Sequence, residues 1–228
     1  MEIVDLGCAR GDRPLFSGLN ARAKAGELLH IVGANGTGKT TLLRTLCGLS
    51  RSAEGEIRWC GESIRSLGDE YRQHLVYVGH LDGIQGELTP GENLEALRGL
   101  LESRDGAGDA AERALQHVGL GAYRSLPVKV FSQGQKRRVA LARLLVTHKP
   151  LWILDEPFTA LDVDSCRLLT ALFAEHLSRG GIIVLTSHSG FDIPGAAIKR
   201  LDLELAKAPA LFAPKEPDSP TAATGHLS

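Results

Sequence analysis

The chain predicts an α/β fold, with a mostly parallel core sheet, an antiparallel β-portion at the N-terminus and a helical lobe inserted in the middle. Three observations carry this. Apolar strand-like runs are followed by helical stretches, as at Glu27–Val32 before Lys39–Cys47 and Leu151–Leu154 before Val163–Ser178. A glycine-rich loop joins the first of those strands to its helix. From about residue 81 to residue 130 the text turns polar and helical and interrupts the alternation.

Taken in order, Glu2–Leu6 and Leu15–Asn20 are short β-like runs separated by a turn. Gly26 precedes the strand Glu27–Val32, and the helix Lys39–Cys47 is closed by Gly48, the residue expected just past a helix C-terminus. Gly55–Trp59 and Leu75–Val78 are further strands. Within the lobe, Glu92–Glu102 and Ala110–Val118 read as helices, parted by the breaks in Asp105-Gly-Ala-Gly108. The core resumes at Phe131 with a helix over Ser132–His148, the strand Leu151–Leu154, the helix Val163–Ser178 and the Val/Ile-rich strand Gly181–Thr186. Residues 1–206 thus form one domain, and the Ala/Pro/Ser/Thr-rich stretch 207–228 predicts a disordered tail.

The loop Gly33-Ala34-Asn35-Gly36-Thr37-Gly38-Lys39-Thr40, followed by Thr41, fits the phosphate-binding pattern Gly-x-x-x-x-Gly-Lys-Ser/Thr in its required strand–loop–helix setting. Glycines let successive N–H groups converge on phosphate oxygens, and the helix N-terminus adds its dipole. Lys39 is then expected on the β- and γ-phosphates of a nucleoside triphosphate, and the Thr40 hydroxyl on Mg²⁺. The strand Leu151–Leu154 delivers Asp155 and Glu156 at its carboxyl edge, where open α/β sheets bind ligands. Asp155 suits Mg²⁺, directly or through water, and Glu156 suits the general base that polarises an attacking water. Ser132-x-x-Gln135 has the form of a capping box, so the next helix also presents an anion-ready N-terminus, with Gly134 allowing close backbone approach by a ligand. A plain cap explains the same residues equally well.

A formal net charge of −1 argues against bulk attraction to nucleic acid or an anionic membrane, and the run Lys136-Arg137-Arg138 is local. No stretch approaches the roughly 20 apolar residues of a membrane span, and the start lacks the basic and apolar regions of a signal peptide. A cytosolic protein, held at a membrane only by partners, is the expectation. Cys8, Cys47, Cys60 and Cys166 show no metal-ligand spacing and read as buried, reduced thiols.

The order of these pieces resembles that of the ABC ATPases over residues 1 to about 205: phosphate loop, His80, lobe, Ser132–Gln135, Asp155-Glu156, Ala160-Leu161-Asp162 and His188. The resemblance implies a phosphate-loop NTPase fold of ABC-ATPase type, with ATP and Mg²⁺ as ligands. It implies that Lys39, Glu156 and His188 are catalytic, with His188 holding the γ-phosphate and orienting water. Ser132, Gly134 and Gln135 would bind the nucleotide of a second copy, so that two subunits close on two nucleotides, and Asp162 would couple the two sites. His80 stands where the family has a glutamine facing the metal and water, and Gln133 where it has a glycine. No aromatic stands where the adenine-stacking residue is expected; Arg10 or Phe16 could fill that role.

Gly79-His80, Leu88-Thr89, Glu92-Asn93-Leu94, the run Gly134–Arg143 and the run Leu151–Asp162 are similar to the haem-exporter ATPases of cytochrome c biogenesis, the CcmA family. That narrower resemblance implies integral membrane permease subunits as partners, a haem chaperone as an indirect one, and the cytoplasmic face of a bacterial inner membrane as location. The ATPase of another ABC transporter, or a soluble ABC ATPase such as an iron–sulfur assembly factor, shares the general motifs.

Overall fold

The computed structural model describes residues 1–11, 13–80, 82–101, 107–188 and 190–206. The chain begins with the antiparallel pair β1 (Glu2–Arg10) and β2 (Arg13–Arg22), each longer than its apolar run because cross-strand pairing carries it on. Then follow β3 (Glu27–Val32), α1 (Lys39–Leu46), β4 (Glu54–Trp59), β5 (Glu62–Ser63), the short helices α2 (Ile64–Leu67) and α3 (Asp69–Gln73), and β6 (Leu75–Val78). The middle of the chain holds α4 (Pro90–Leu101) and α5 (Ala107–His117). The remainder is α6 (Gln133–Thr147), β7 (Leu151–Asp155), α7 (Val163–Ser178), β8 (Ile182–Thr186) and β9 (Ala197–Asp202).

Among the described residues the strands form two sheets, an antiparallel one in the order β2-β1-β4-β5 and a parallel one in the order β6-β7-β8-β3-β9. The apolar runs of the parallel sheet follow from burial on both faces. In β7, Leu151 and Ile153 join the core shared with α1 and the antiparallel sheet, while Trp152 and Leu154 join the core under α6 and α7. Ile182 and Val184 of β8 face the first core, and Ile183 and Leu185 the second. This is the two-residue strand period read on both sides.

The lobe has no core closed off from α6. Leu94, Ala111, Ala114 and Leu115 pack with Val139, Ala142 and Val146 of α6, while Ala140, Leu141 and Leu144 of the same helix pack under the sheet. Helix α6 is therefore the joint between lobe and core. The expected helix ends in the lobe move to Pro90 and Ala107, and Glu102, Asp105 and Gly106 lie outside the described residues. The expected tail, 207–228, also lies outside them. Cys8 and Cys47 are buried as expected, but Cys60 is exposed and Cys166 only half-buried, because their strand-end and helix-surface positions face outward. No helix of the described residues is long and apolar enough to cross a membrane.

Candidate active site

The strands of the parallel sheet end side by side, and each end carries a group of interest. In spatial order β6 leads into Gly79-His80, β7 into Asp155-Glu156, β8 into Ser187-His188, β3 into the phosphate loop, and β9 into Leu203-Glu204. A cleft of about 530 Å³ opens at this edge. Arg10, Asn35, Gly36, Gly38, Lys39, Thr40 and Thr41 line it from the N-terminal part of the chain, and His80, Asp155, Glu156 and His188 from the strand ends.

Helix α1 starts at Lys39 with Gly38 as its N-cap, and no side chain caps it. The first-turn N–H groups thus have no partner from a capping side chain, which is the condition for anion binding. Gly38 has φ +105°, and a Cβ there would stand 3.1 Å from Phe16 and 3.2 Å from Leu15. Phe16 is 1 % exposed beneath the loop, which leaves Arg10, on the cleft surface, as the planar group of the expected pair that a base could reach. Lys39 Nζ lies 2.7 Å from the Gly33 carbonyl oxygen and 3.2 Å from that of Ala34, folded over the loop it serves. Thr37 Oγ1 donates to the Ala34 carbonyl at 2.9 Å, and the Ala34 N–H donates to Glu204 at 2.9 Å, bracing the loop from inside and from the end of β9.

Asp155, 3 % exposed, is gripped on both oxygens. Thr40 Oγ1 donates to Oδ2 at 2.8 Å, and Thr186 Oγ1 donates to Oδ1 at 2.7 Å. The hydroxyl of Thr40 and the carboxylate of Asp155 are hard oxygen donors side by side, a set that fits Mg²⁺, which also keeps water and phosphate ligands. No group of three or more His, Cys, Asp or Glu side chains among the described residues could hold a metal by itself. Burial, together with the Asp155 charge, pushes the Tyr77 hydroxyl up to about 12, so that ring stays protonated beside the site.

Glu156 sits in a left-handed turn with φ +50°. Its N–H donates to Thr186 Oγ1 at 3.0 Å, and its Oε2 accepts from the His188 N–H at 3.1 Å. The His188 ring Nε2 stands 3.5 Å from Oε1, which is buried without a hydrogen-bond partner. Carboxylate and imidazole thus meet at the cleft, with one carboxylate oxygen left without a hydrogen-bond partner.

Ser132, Gly134 and Gln135 are not part of this cleft lining. The capping box is formed: Ser132 Oγ accepts from the Gln135 N–H at 3.2 Å, and Gln135 Oε1 from the Ser132 N–H at 2.9 Å. A Cβ on Gly134 would lie 2.7 Å from the Ala160 carbonyl oxygen, so within this chain the close backbone approach comes from the Ala160-Leu161-Asp162 loop. Asp162 caps α7 through the Ser165 N–H at 2.8 Å, and hydrogen bonding from the Ser165 hydroxyl, with that N–H, holds its carboxyl below the usual carboxylate range.

Two residues in these contacts carry little sign of their role in the sequence. For Thr186 the signal is a hydroxyl closing an otherwise apolar strand. Arg137 stands in a basic run, yet it is 4 % exposed and reaches the carbonyls of Gly79, Asp155 and Glu156. Its signal is a cation on the same helical stripe as Ala140, Leu141 and Leu144.

The ABC transporter family profile matches residues 16–159. The cytochrome c biogenesis ATP-binding export protein CcmA of Nitrosospira multiformis is 53 % identical over 207 residues, covering 89 % of this chain and 98 % of that protein. Its Escherichia coli K12 counterpart is 45 % identical over 208 residues, covering 91 % and 98 %. Among solved structures, an ABC transporter ATP-binding protein from Pyrococcus furiosus superposes with a TM-score of 0.76 at 24 % identity, covering 91 % of this chain and 98 % of that one. The cbiO1 protein of Clostridium perfringens, part of an ABC transporter complex, gives 0.70 at 25 % identity, covering 82 % and 78 %.

Proposed function

The chain belongs to the ABC transporter family, alongside the CcmA export proteins of cytochrome c biogenesis, and from that membership we propose how it works as the ATP-hydrolysing subunit of a membrane export complex. The observation that carries the reading is the cleft at the strand ends, which holds a triphosphate cradle, a hydroxyl–carboxylate pair and a Glu156–His188 pair but none of the capping-box residues.

Lys39 and the first-turn N–H groups of α1 hold the β- and γ-phosphates, and Arg10 lies against the base. Thr40 and Asp155 would hold Mg²⁺, which when bound would supply charge neutralisation for the phosphates. Glu156 accepts a proton from the attacking water, whose position His188 sets from the side; His80 lies at the cleft on the lobe side, within the water's surroundings. The capping box of α6 meets the γ-phosphate on a second copy, so each copy supplies half of each site and the pair closes as a homodimer. Hydrolysis removes the bridging phosphate and lets the dimer part.

The chain is peripheral at the cytoplasmic face of the bacterial inner membrane, bound to the integral permease subunits of the complex. Its cargo reading, haem passed toward a periplasmic chaperone, rests on the kinship with the CcmA proteins. A soluble ABC machine is not favoured by relatives named as export proteins. Replacing the chain by Glu156→Gln in cells that depend on it tests the reading through haem staining of c-type cytochromes. Loss of stainable cytochrome c with haem synthesis intact is expected; normal cytochrome c levels would refute it.

A further inference from the structure

We propose that Arg137 is a positioning residue: it fixes the turn that aims Glu156 and fastens that turn to the segment entering the lobe. The inference rests on Glu156 acting as the base.

One guanidinium joins three parts of the chain. From α6, Arg137 Nη2 donates to the Asp155 carbonyl at 2.7 Å and to the Glu156 carbonyl at 2.9 Å. Nη1 donates to the Gly79 carbonyl at 2.9 Å and to Asp82 Oδ1 at 3.0 Å. A cation that is 4 % exposed loses its hydration, and a single half-buried carboxylate restores only part of it. Nε stays buried with no partner, a further cost. An apolar side chain would fill this space without those costs, so packing does not explain the arginine.

The carbonyls it holds do. Glu156 has φ +50°, a conformation that non-glycine residues keep only when surroundings enforce it. Two consecutive carbonyls on one Nη lock the peptide planes on both sides of the Glu156 Cα. The same turn is held from the opposite strand by the Glu156 N–H on Thr186. The carboxylate is thereby aimed at His188 from a clamped backbone. The other Nη reaches Gly79 and Asp82, which flank the segment between β6 and the lobe, so a shift of that segment is felt at Glu156. Lysine lacks the planar fork and can satisfy only part of the set.

The test uses the full chain with ATP and Mg²⁺ at concentrations that drive pairing, comparing Arg137→Lys, Asp82→Asn and Glu156→Gln. Arg137→Lys is expected to lower kcat at least tenfold, with KM and nucleotide affinity changed less than twofold because the phosphate loop is untouched. Asp82→Asn keeps the arginine and its carbonyl bonds, and is expected to lower kcat about threefold at unchanged KM. Residual turnover of Glu156→Gln is expected to fall no more than twofold when Arg137→Lys is added, because the two residues act as a unit. A wild-type kcat in Arg137→Lys, with Glu156→Gln inactive, overturns the positioning role and leaves the base assignment standing. Parallel loss of nucleotide binding and turnover in Arg137→Lys, or a tenfold further loss in the double variant, also overturns it. Should Arg137→Lys fail to fold, Asp82→Asn decides: an unchanged kcat overturns the proposal. Wild-type turnover in Glu156→Gln instead removes the base assignment itself.

Discussion

Asp155 is held between two threonine hydroxyls, and the pair do different work. Thr40 comes from the phosphate loop and would turn to a bound cation; Thr186 comes from the neighbouring strand and stays with the protein. Thr186 is 0 % exposed, and its oxygen also accepts from the Glu156 N–H. Thr186→Val keeps the shape but strands both groups, so it should cost about 1–3 kcal/mol, read as a lower urea midpoint, and at least tenfold in turnover. Gly134→Ala places a Cβ 2.7 Å from the Ala160 carbonyl, which must then move. Since Gly134 is outside the cleft lining, its expected signature is turnover reduced at least tenfold with nucleotide affinity within twofold of wild type, measured by equilibrium binding. Individual residues differ in how well the sequence announces them. Lys39, Asp155 and Glu156 are legible because spacing and strand context restrict what they can do. Thr186 and Arg137 are not, because a threonine closing a strand and an arginine in a basic run have many ordinary explanations, and only their tertiary contacts choose one.

At the scale of elements, legibility follows burial. Strands β7 and β8 stand out because both faces are covered, so their apolar runs are continuous up to the final polar residue, while β3 is apolar but for Glu27 and His30. β9 is not legible in the same way: Ala-Ile-Lys-Arg-Leu-Asp is mostly exposed and pairs with β3 at the sheet edge, a partnership that tertiary context creates. α7 carries a test of its own. The His176 ring stacks on Trp152 with centroids 3.7 Å apart, and Gly181 leaves it room, since a Cβ there would stand 2.2 Å from Nε2. Burial pushes His176 below its ordinary value, and burial does the same to His30 beneath the His188 segment. The folded state therefore binds these protons less readily than the unfolded chain. Their contribution is present above a pH of about 6.5 and is lost as pH falls through the lowered folded values. Urea midpoints should drop on acidification below about 6.5, above the range where carboxylates such as Glu27, held low by Lys199, begin to protonate. His176→Phe should flatten part of that drop, and an unaltered slope would count against the assignment.

For the whole molecule, the decisive property is that the strand-end cleft and the capping box of α6, which the proposed dimer would bring together, do not meet within one chain. The strand ends gather the phosphate loop, Asp155, Glu156 and His188 into one cleft, while the N-terminus of α6 turns its capping box elsewhere. Helix α6 also couples the lobe core to the sheet core. Kinship with export proteins says that such an engine works with a membrane complex; closure on nucleotide explains how it could move one. Sedimentation velocity of the full-length Glu156→Gln chain, with and without ATP and Mg²⁺, tests this most directly. The account predicts a single-subunit species without nucleotide and a stable two-subunit species with it. A chain that binds ATP to saturation yet sediments as one subunit would contradict it.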